Sequence, residues 1–145
     1  MKQVAVLGAG SFGTALAVHL ARVGHDVRLW ARDADLASEM ARRRSNPAYL
    51  TELAFPPSVT PTSDLEQALA GCDLVVSVVP SHGTRDVISR AKPLVRSHAV
   101  IVSATKGLDE DSLLRPSEVI AAIMPGHRVV EIGRASCRER VCAYV

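Results

Sequence analysis

Gly8-Ala9-Gly10-Ser11-Phe12-Gly13 is the stretch of sequence that decides the fold. It has the spacing G-x-G-x-x-G, follows an apolar run at residues 3–7, and precedes a segment with Leu16 and Leu20 at helical spacing. A glycine turn between a strand and a helix is typical of the first βαβ unit of a dinucleotide-binding domain. There the first glycine makes the tight turn, the second lets the backbone approach a pyrophosphate, and the third allows helix and strand to pack closely.

We therefore predict that Gly8, Gly10 and Gly13 belong to a cofactor-binding turn. The N-terminus of the following helix offers free N–H groups and a positive dipole end to phosphate groups. The alternative is a glycine-rich turn that holds no ligand.

The rest of the chain alternates strands and helices. The pattern predicts strands at residues 3–7, 27–31, 74–79 and 99–103, a short strand near Val59 and another that begins at residue 129. Helices are predicted at residues 12–23, 33–44, 64–70 and 116–124, with one more from Pro80 to about residue 91. Residues 45–61 contain four prolines and are predicted to be irregular. Repeated βα units of this length indicate the α/β class, with the doubly wound parallel sheet of a Rossmann domain.

Composition argues against several other functions. The net charge is only +2 and the basic residues are scattered, so we expect no nucleic-acid partner. No apolar run approaches the length of a membrane span, and the three cysteines and five histidines show no metal-ligand spacing. We therefore expect a cytoplasmic protein without a membrane span or a metal site.

The end of the second strand governs the choice between cofactors. A carboxylate at this point holds the ribose 2′-OH of NAD, whereas an arginine accommodates the 2′-phosphate of NADP. The sequence reads Leu29-Trp30-Ala31-Arg32-Asp33, so Arg32 is available for a phosphate if the strand ends at Ala31. Asp33 is placed either to reach a ribose or to cap the next helix, and the cap is favoured. We expect NADPH to be preferred and NADH to be tolerated.

Two further segments follow buried strands at the edge where open α/β sheets bind ligands. Val79-Pro80-Ser81-His82 is expected to line the ribose and nicotinamide with its backbone at Pro80. His82 is either a proton donor or, as we favour, a loop residue in contact with solvent. Thr105-Lys106-Gly107 places a lysine at the same edge, where it either faces the nicotinamide and an anionic substrate or is a solvated surface residue.

Together these motifs resemble the N-terminal domain of bacterial NAD(P)-dependent glycerol-3-phosphate dehydrogenases. The resemblance runs from Val4 to about Val130. The matching stretches are Gly8-Ala9-Gly10-Ser11-Phe12-Gly13-Thr14-Ala15-Leu16-Ala17, Leu29-Trp30, Asn46-Pro47-Ala48-Tyr49-Leu50, Val79-Pro80-Ser81 and Ala104-Thr105-Lys106-Gly107-Leu108.

The resemblance implies an enzyme that reduces dihydroxyacetone phosphate to sn-glycerol 3-phosphate for phospholipid synthesis. It implies cofactor contacts at Ser11, Phe12, Arg32 and Tyr49, and contacts of Lys106 with both cofactor and substrate. Two alternatives remain open, namely another Rossmann dehydrogenase acting on a hydroxyacid or small ketone, and a non-catalytic module that senses dinucleotides. The sequence leaves the oligomeric state open, with a homodimer among the states considered.

The sequence departs from the family after Val129. The family continues with a Ser-Gly-Pro segment and a helical domain that carries the catalytic lysine and most of the substrate phosphate site, whereas this chain reads Glu131-Ile132-Gly133. We therefore expect the second, helical domain and every catalytic residue to be missing from this chain. The fragment alone is then expected to bind cofactor without turnover.

Residues 131–145 resemble the translation of a sequencing-adapter read-through. Two of the three cysteines and five charged residues fall within this stretch, which sets its composition apart from the rest. We predict an NAD(P)-binding domain at residues 1–130 and a foreign tail at residues 131–145 that lies outside the fold, apart from a short extension of the strand at Val129 and Val130. The alternative is a genuine basic C-terminal extension.

Overall fold

The structure, a computed structural model, describes residues 1–132 and residues 143–144. One seven-stranded sheet forms its centre. The strands are β1 (Gln3–Leu7), β2 (Asp26–Trp30), β3 (Val59–Thr62), β4 (Leu74–Ser77), β5 (Val100–Ser103), β6 (Arg128–Glu131) and β7 (Ala143–Tyr144). The helices are α1 (Ser11–Arg22), α2 (Ala34–Arg43), α3 (Leu65–Leu69), α4 (Ser81–Ala91) and α5 (Pro116–Ile123), and a 3₁₀ turn at Lys92–Leu94 follows α4.

The strand order is β3-β2-β1-β4-β5-β6-β7, in which the first six strands are parallel and β7 is antiparallel to β6. The order 3-2-1-4-5-6 is that of the doubly wound Rossmann sheet, so the predicted fold class is confirmed. In this order the chain reverses direction across the sheet between β1 and β4. At that switch point a crevice opens beyond the carboxyl ends of the strands.

Aliphatic strands are buried on both faces of the sheet, which is why they read as continuous apolar runs. Side chains at alternate positions of each strand feed two separate cores. One core packs against α1 and α2, and it includes Val4, Val6 and Leu29. The other packs against α3, α4 and α5, and it includes Leu7 and Ile101.

The ends of the helices follow the capping signals in the sequence. The Asp33 carboxylate accepts from the N–H groups of Asp35 at 2.9 Å and Leu36 at 3.2 Å, so it caps α2 as favoured above. Asp64 caps α3 in the same way. Gly24 follows the end of α1 with a φ of +95°, the left-handed conformation expected after a helix.

Several boundaries differ by one or two residues from the predicted ones. The second strand ends at Trp30 rather than Ala31, although the Ala31 N–H still donates to the Thr62 carbonyl at 2.9 Å. The fourth strand ends at Ser77 rather than residue 79, although the Val78 N–H still donates to the Leu7 carbonyl oxygen at 2.8 Å. His82 is the second residue of α4, so the predicted loop position was wrong, whereas its exposure to solvent is confirmed.

The last strand extends past residue 130 as predicted, whereas the prediction that the rest of the tail lies outside the fold was wrong for residues 143–144. Glu131 is the last residue of β6, and Ala143–Tyr144 pairs with Val129 and Val130 as β7. An edge strand with unpaired backbone groups readily accepts such a partner. Residues 133–142 and 145 lie outside the described residues, and the foreign origin of residues 131–145 stays a prediction.

No helix in the part of the chain that the structure describes is long and apolar enough to cross a membrane.

Candidate functional site

A crevice of about 330 Å³ lies at the carboxyl edge of the sheet, over the switch point between β1 and β4. It brings together five of the predicted cofactor-binding residues, which are Gly8, Gly10, Arg32, Tyr49 and Pro80. The same crevice is lined by ten more residues: Ala9, Trp30, Ala31, Asp33, Leu36, Val78, Val79, His82, Gly83 and Val87. Four predicted residues do not line the crevice: Ser11, Phe12 and Gly13 follow Gly10 directly along the chain, and Lys106 lies in the segment after β5.

The three glycines of the turn differ in whether the fold leaves room for a side chain. Gly8 has a φ of +120°, and a Cβ there would lie 2.9 Å from the Val78 carbonyl oxygen. A Cβ on Gly13 would lie 1.9 Å from the Gly8 carbonyl oxygen, so α1 packs on β1 only because this residue has no side chain. Among the described residues, nothing lies within 4 Å of a Cβ built on Gly10. The fold therefore requires glycine at residues 8 and 13, whereas residue 10 faces open space.

The N-terminus of α1 differs from those of α2 and α3. Gly10 is its N-cap residue, and among the described residues no side chain caps it or places an acid in its first turn. The first N–H groups of an α-helix have no acceptor within the helix. The turn at Ser11, Phe12 and Gly13 thus presents donors and a positive dipole end beside the crevice, which favours an anionic group there.

Asn46 holds the glycine turn in place, a role that the sequence analysis missed. Its side chain is fully buried, and its amide Nδ2 donates to the Ala9 carbonyl oxygen at 2.8 Å and to Thr14 Oγ1 at 2.8 Å. Its Oδ1 accepts from the Ala48 N–H at 3.1 Å, next to Tyr49. One buried amide therefore links the turn, the start of α1 and the segment that carries Tyr49. Its partners lie up to 37 residues away, so local spacing gave no signal.

The ends of β4 and β5 are joined at the other side of the crevice. The buried Thr105 hydroxyl donates to the Val79 carbonyl oxygen at 2.7 Å, which fixes the position of the next residue, Lys106. Lys106 is exposed, and its Nζ lies 5.9 Å from the centroid of the Phe12 ring, within the range of a cation–π contact. Two of the predicted cofactor residues thus meet beside the crevice. Gly107 turns the chain with a φ of +94° next to Ser81.

A charged network holds the loop after Lys106. Asp109 is buried, and its Oδ2 lies 2.9 Å from the Arg85 guanidinium on α4 and 2.5 Å from Ser112 Oγ. The hydrogen bond from Ser112 and the one from Arg85 lower the pKa of the Asp109 carboxyl below its ordinary value. The network fastens the loop that follows Lys106 to α4.

The ribose end of the crevice, defined here as Arg32, Tyr49 and the facing residues of α4, consists of exposed side chains. Arg32 follows β2 by two residues, and its Nη2 lies 3.3 Å from Asp86 Oδ2 on α4. Tyr49 is 54% exposed, and His82 is exposed in the first turn of α4. Among residues 31–34, Asp33 carries the only carboxylate, and it caps α2.

Among the described residues there is no group of three or more histidine, cysteine, aspartate or glutamate side chains that could hold a metal ion.

A family model for the N-terminus of NAD-dependent glycerol-3-phosphate dehydrogenase matches residues 3–141. The chain belongs to this family.

Individual relatives agree with this assignment. Glycerol-3-phosphate dehydrogenase [NAD(P)+] 2 of Salinibacter ruber is 43% identical over 130 residues, which is 90% of this chain and 38% of the relative. The Thioalkalivibrio sulfidiphilus glycerol-3-phosphate dehydrogenase [NAD(P)+] is 47% identical over 121 residues, or 83% of this chain and 36% of the relative. The crystal structure of glycerol-3-phosphate dehydrogenase from Coxiella burnetii superposes with a TM-score of 0.85 at 38% identity and covers 90% of this chain and 40% of that chain.

The resemblance to the glycerol-3-phosphate dehydrogenase family that the motifs indicated is therefore confirmed. The chain spans well under half the length of the curated relatives it matches, and it aligns with their N-terminal, NAD-binding part. The roles assigned above to individual site residues stay predictions.

Proposed function

We propose that this chain binds NADP(H) or NAD(H) in the crevice and forms the cofactor-binding part of a cytoplasmic glycerol-3-phosphate dehydrogenase. The observation that carries the proposal is Gly10, which faces open space at an uncapped helix N-terminus inside a switch-point crevice. A structural glycine would be explained by its own contacts or by its backbone angles. Gly10 has an extended backbone, with a φ of −74° and a ψ of −173°, so neither explains it.

Different segments around the crevice would bind different parts of the cofactor. The first turn of α1 would hold the pyrophosphate with backbone N–H groups, and the backbone at Pro80 would border the ribose and nicotinamide. Lys106, held by Thr105 and resting on Phe12, would lie beside the nicotinamide and attract the phosphate of dihydroxyacetone phosphate or glycerol 3-phosphate. A bound reduced nicotinamide supplies the hydride for reduction of a ketone.

Proton transfer is assigned to a residue outside this chain. We expect the isolated 145-residue chain to bind cofactor but to show no oxidation of NADPH when dihydroxyacetone phosphate is added. Turnover at the rate of a full-length relative assayed alongside would contradict this assignment, since it would place the general acid in this chain.

Cofactor preference is proposed to depend on Arg32. Asp33 Oδ1 is engaged with the N–H groups of α2, and Arg32 is the cationic side chain that lines the crevice after β2. A guanidinium and a phosphate form a charge-assisted hydrogen bond that the 2′-OH of NAD cannot reproduce. NADPH is therefore expected to bind about tenfold more tightly than NADH, a factor that corresponds to about 1.4 kcal/mol.

The test uses the single tryptophan, Trp30, which lines the crevice. Quenching of its fluorescence is followed while NADPH or NADH is titrated at fixed salt into the wild-type chain and the Arg32→Ala variant. A matched control is Arg22→Ala, because Arg22 is exposed at the opposite end of α1, about 18 Å from the glycine turn. The proposal is supported if both cofactors bind saturably and the preference for NADPH is lost in Arg32→Ala but kept in the wild type and in Arg22→Ala. Absence of binding, or a preference that survives Arg32→Ala, would refute it.

A further inference from the structure

The charged residue opposite Arg32 is Asp86, on the side of α4 that faces the ribose end. Asp86 lies one helical turn after His82 and next to Val87, and both of these neighbours line the crevice. Its Oδ2 is 3.3 Å from Arg32 Nη2 and 3.7 Å from Arg90 Nη1. The side chains of Arg32 and Asp86 are 68% and 57% exposed, so water and salt reach both charges.

A carboxylate in this position changes what Arg32 can bind. The guanidinium is the anion-binding group at the end of β2, and pairing with Asp86 offsets part of its charge. The 2′-phosphate of NADP must compete with the Asp86 carboxylate for the same nitrogen atoms of Arg32. The 2′-OH of NAD carries no charge, so the affinity for NAD is not lowered by the pairing. Exposed ion pairs of this kind are weak, so a phosphate can displace Asp86, but the displacement lowers the affinity.

We propose that Asp86 is a specificity-determining residue that narrows the preference for NADP over NAD by pairing with Arg32. The inference rests on the proposed function, because it assumes that Arg32 lies beside the 2′ position of a bound cofactor. It assigns to α4 a part in cofactor choice that is separate from the residues following β2. The pair would then reduce the affinity for NADP and leave the affinity for NAD unchanged, so that the two affinities lie closer together.

The experiment measures dissociation constants for NADPH and NADH in the full 145-residue chain, at low salt and again at about 0.5 M NaCl. The variants are Asp86→Asn, Arg32→Ala and the double variant. The matched charge control is Asp26→Asn at the first residue of β2, about 20 Å from Arg32 along the strand. Asp86 and Arg32 are both exposed, so thermal melts are expected to show the same fold in every variant.

We expect Asp86→Asn to raise the ratio of the NADH constant to the NADPH constant about threefold to fivefold at low salt. The gain should come from tighter NADPH binding, shrink at high salt because the charges are screened, and disappear in the Arg32→Ala background. The Asp26→Asn control should leave the ratio unchanged.

The outcomes separate this inference from the proposed function. A wild-type chain that binds neither cofactor refutes the proposed function itself. If both cofactors bind but Asp86→Asn leaves the ratio unchanged, the inference fails while the proposed function stands. A gain of the same size in the Arg32→Ala background would also overturn it, since Asp86 would then act without Arg32. An equal rise of the ratio in Asp26→Asn would overturn it as well, because the change in net charge alone would then explain the effect.

Discussion

At the glycine turn the chain positions backbone atoms through contacts inside the fold, whereas at the ribose end of the same crevice it exposes the side chains of Arg32, Asp86 and Tyr49. The turn is fixed by the missing side chain of Gly13 and by the buried amide of Asn46. The Arg32–Asp86 pair is open to solvent. The difference indicates that holding a dinucleotide and choosing between two dinucleotides are separable properties here. Changes at the turn should alter stability or all binding, and changes at the ribose end should alter preference.

Gly13→Ala is expected to have the largest effect. The new Cβ would lie 1.9 Å from the Gly8 carbonyl oxygen, so α1 must move away from β1. Overpacking of this kind should cost about 3 kcal/mol of the free energy of unfolding, or prevent folding. Urea denaturation measures this loss of stability. Gly10→Ala is the control, because a Cβ at residue 10 meets nothing within 4 Å in the part of the chain that the structure describes. Equal stabilities of the two variants would show that the turn is not packed as described.

Gly10→Val should separate binding from folding. The extended backbone at residue 10 suits valine, and its Cβ would meet nothing within 4 Å among the described residues, so the thermal midpoint should fall only by the small cost of valine at a helix N-cap. Its side chain would fill the space assigned to the pyrophosphate, and both NADPH and NADH should bind at least about a hundredfold more weakly, or about 2.7 kcal/mol. Normal binding by a folded variant would mean that the phosphates bind elsewhere.

Asn46→Ala should lower both the stability of the fold and the affinity for the cofactor, each by less than the glycine variant that affects it most. It leaves the Ala9 carbonyl oxygen and Thr14 hydroxyl without their buried donor, at a cost of about 2 kcal/mol in the free energy of unfolding. Cofactor affinity should also fall, since the turn and the Tyr49 segment are no longer tied together. Thr51→Ala, at an exposed position of the same loop, serves as the control for the urea and fluorescence titrations. An Asn46 variant that matches this control in both measurements would contradict the assigned role.

Asp109→Asn should give the smallest effect, and one that depends on pH. Because hydrogen bonds lower the folded-state pKa of Asp109, its contribution to stability is fully present above the pKa of the unfolded chain and is lost as the pH falls through the folded-state value. The wild type should melt slightly above Asp109→Asn near neutral pH, and the two midpoints should converge in acid. A difference that does not shrink as the pH falls below the ordinary range of an aspartate would mean that the carboxylate charge is not responsible.

Sequence reasoning found the parts of the site that depend on local spacing. The glycine turn follows from a strand, a turn and a helix within 20 residues, and Asp33 is recognisable as a cap from its place before α2. Asn46 and Asp86 were missed because their partners are 32 to 54 residues away in sequence and meet them only in the folded chain. The short extension of the last strand past residue 130 was predicted and β6 does continue to Glu131, whereas the pairing of β7 with its edge was not predicted, because residues 143–144 lie 12 or more residues farther along the chain.

The central claim is that the N–H groups of the glycine turn hold the phosphates of a dinucleotide. The most direct measurement is a titration of ¹⁵N-labelled chain with NADPH, followed by amide chemical shifts. We expect saturable shifts that are largest at Ser11, Phe12 and Gly13, with no shift at Gly126, which lies in the turn before β6 at the opposite edge of the sheet. Amides of the glycine turn that do not move at saturating NADPH, while others do, would contradict it.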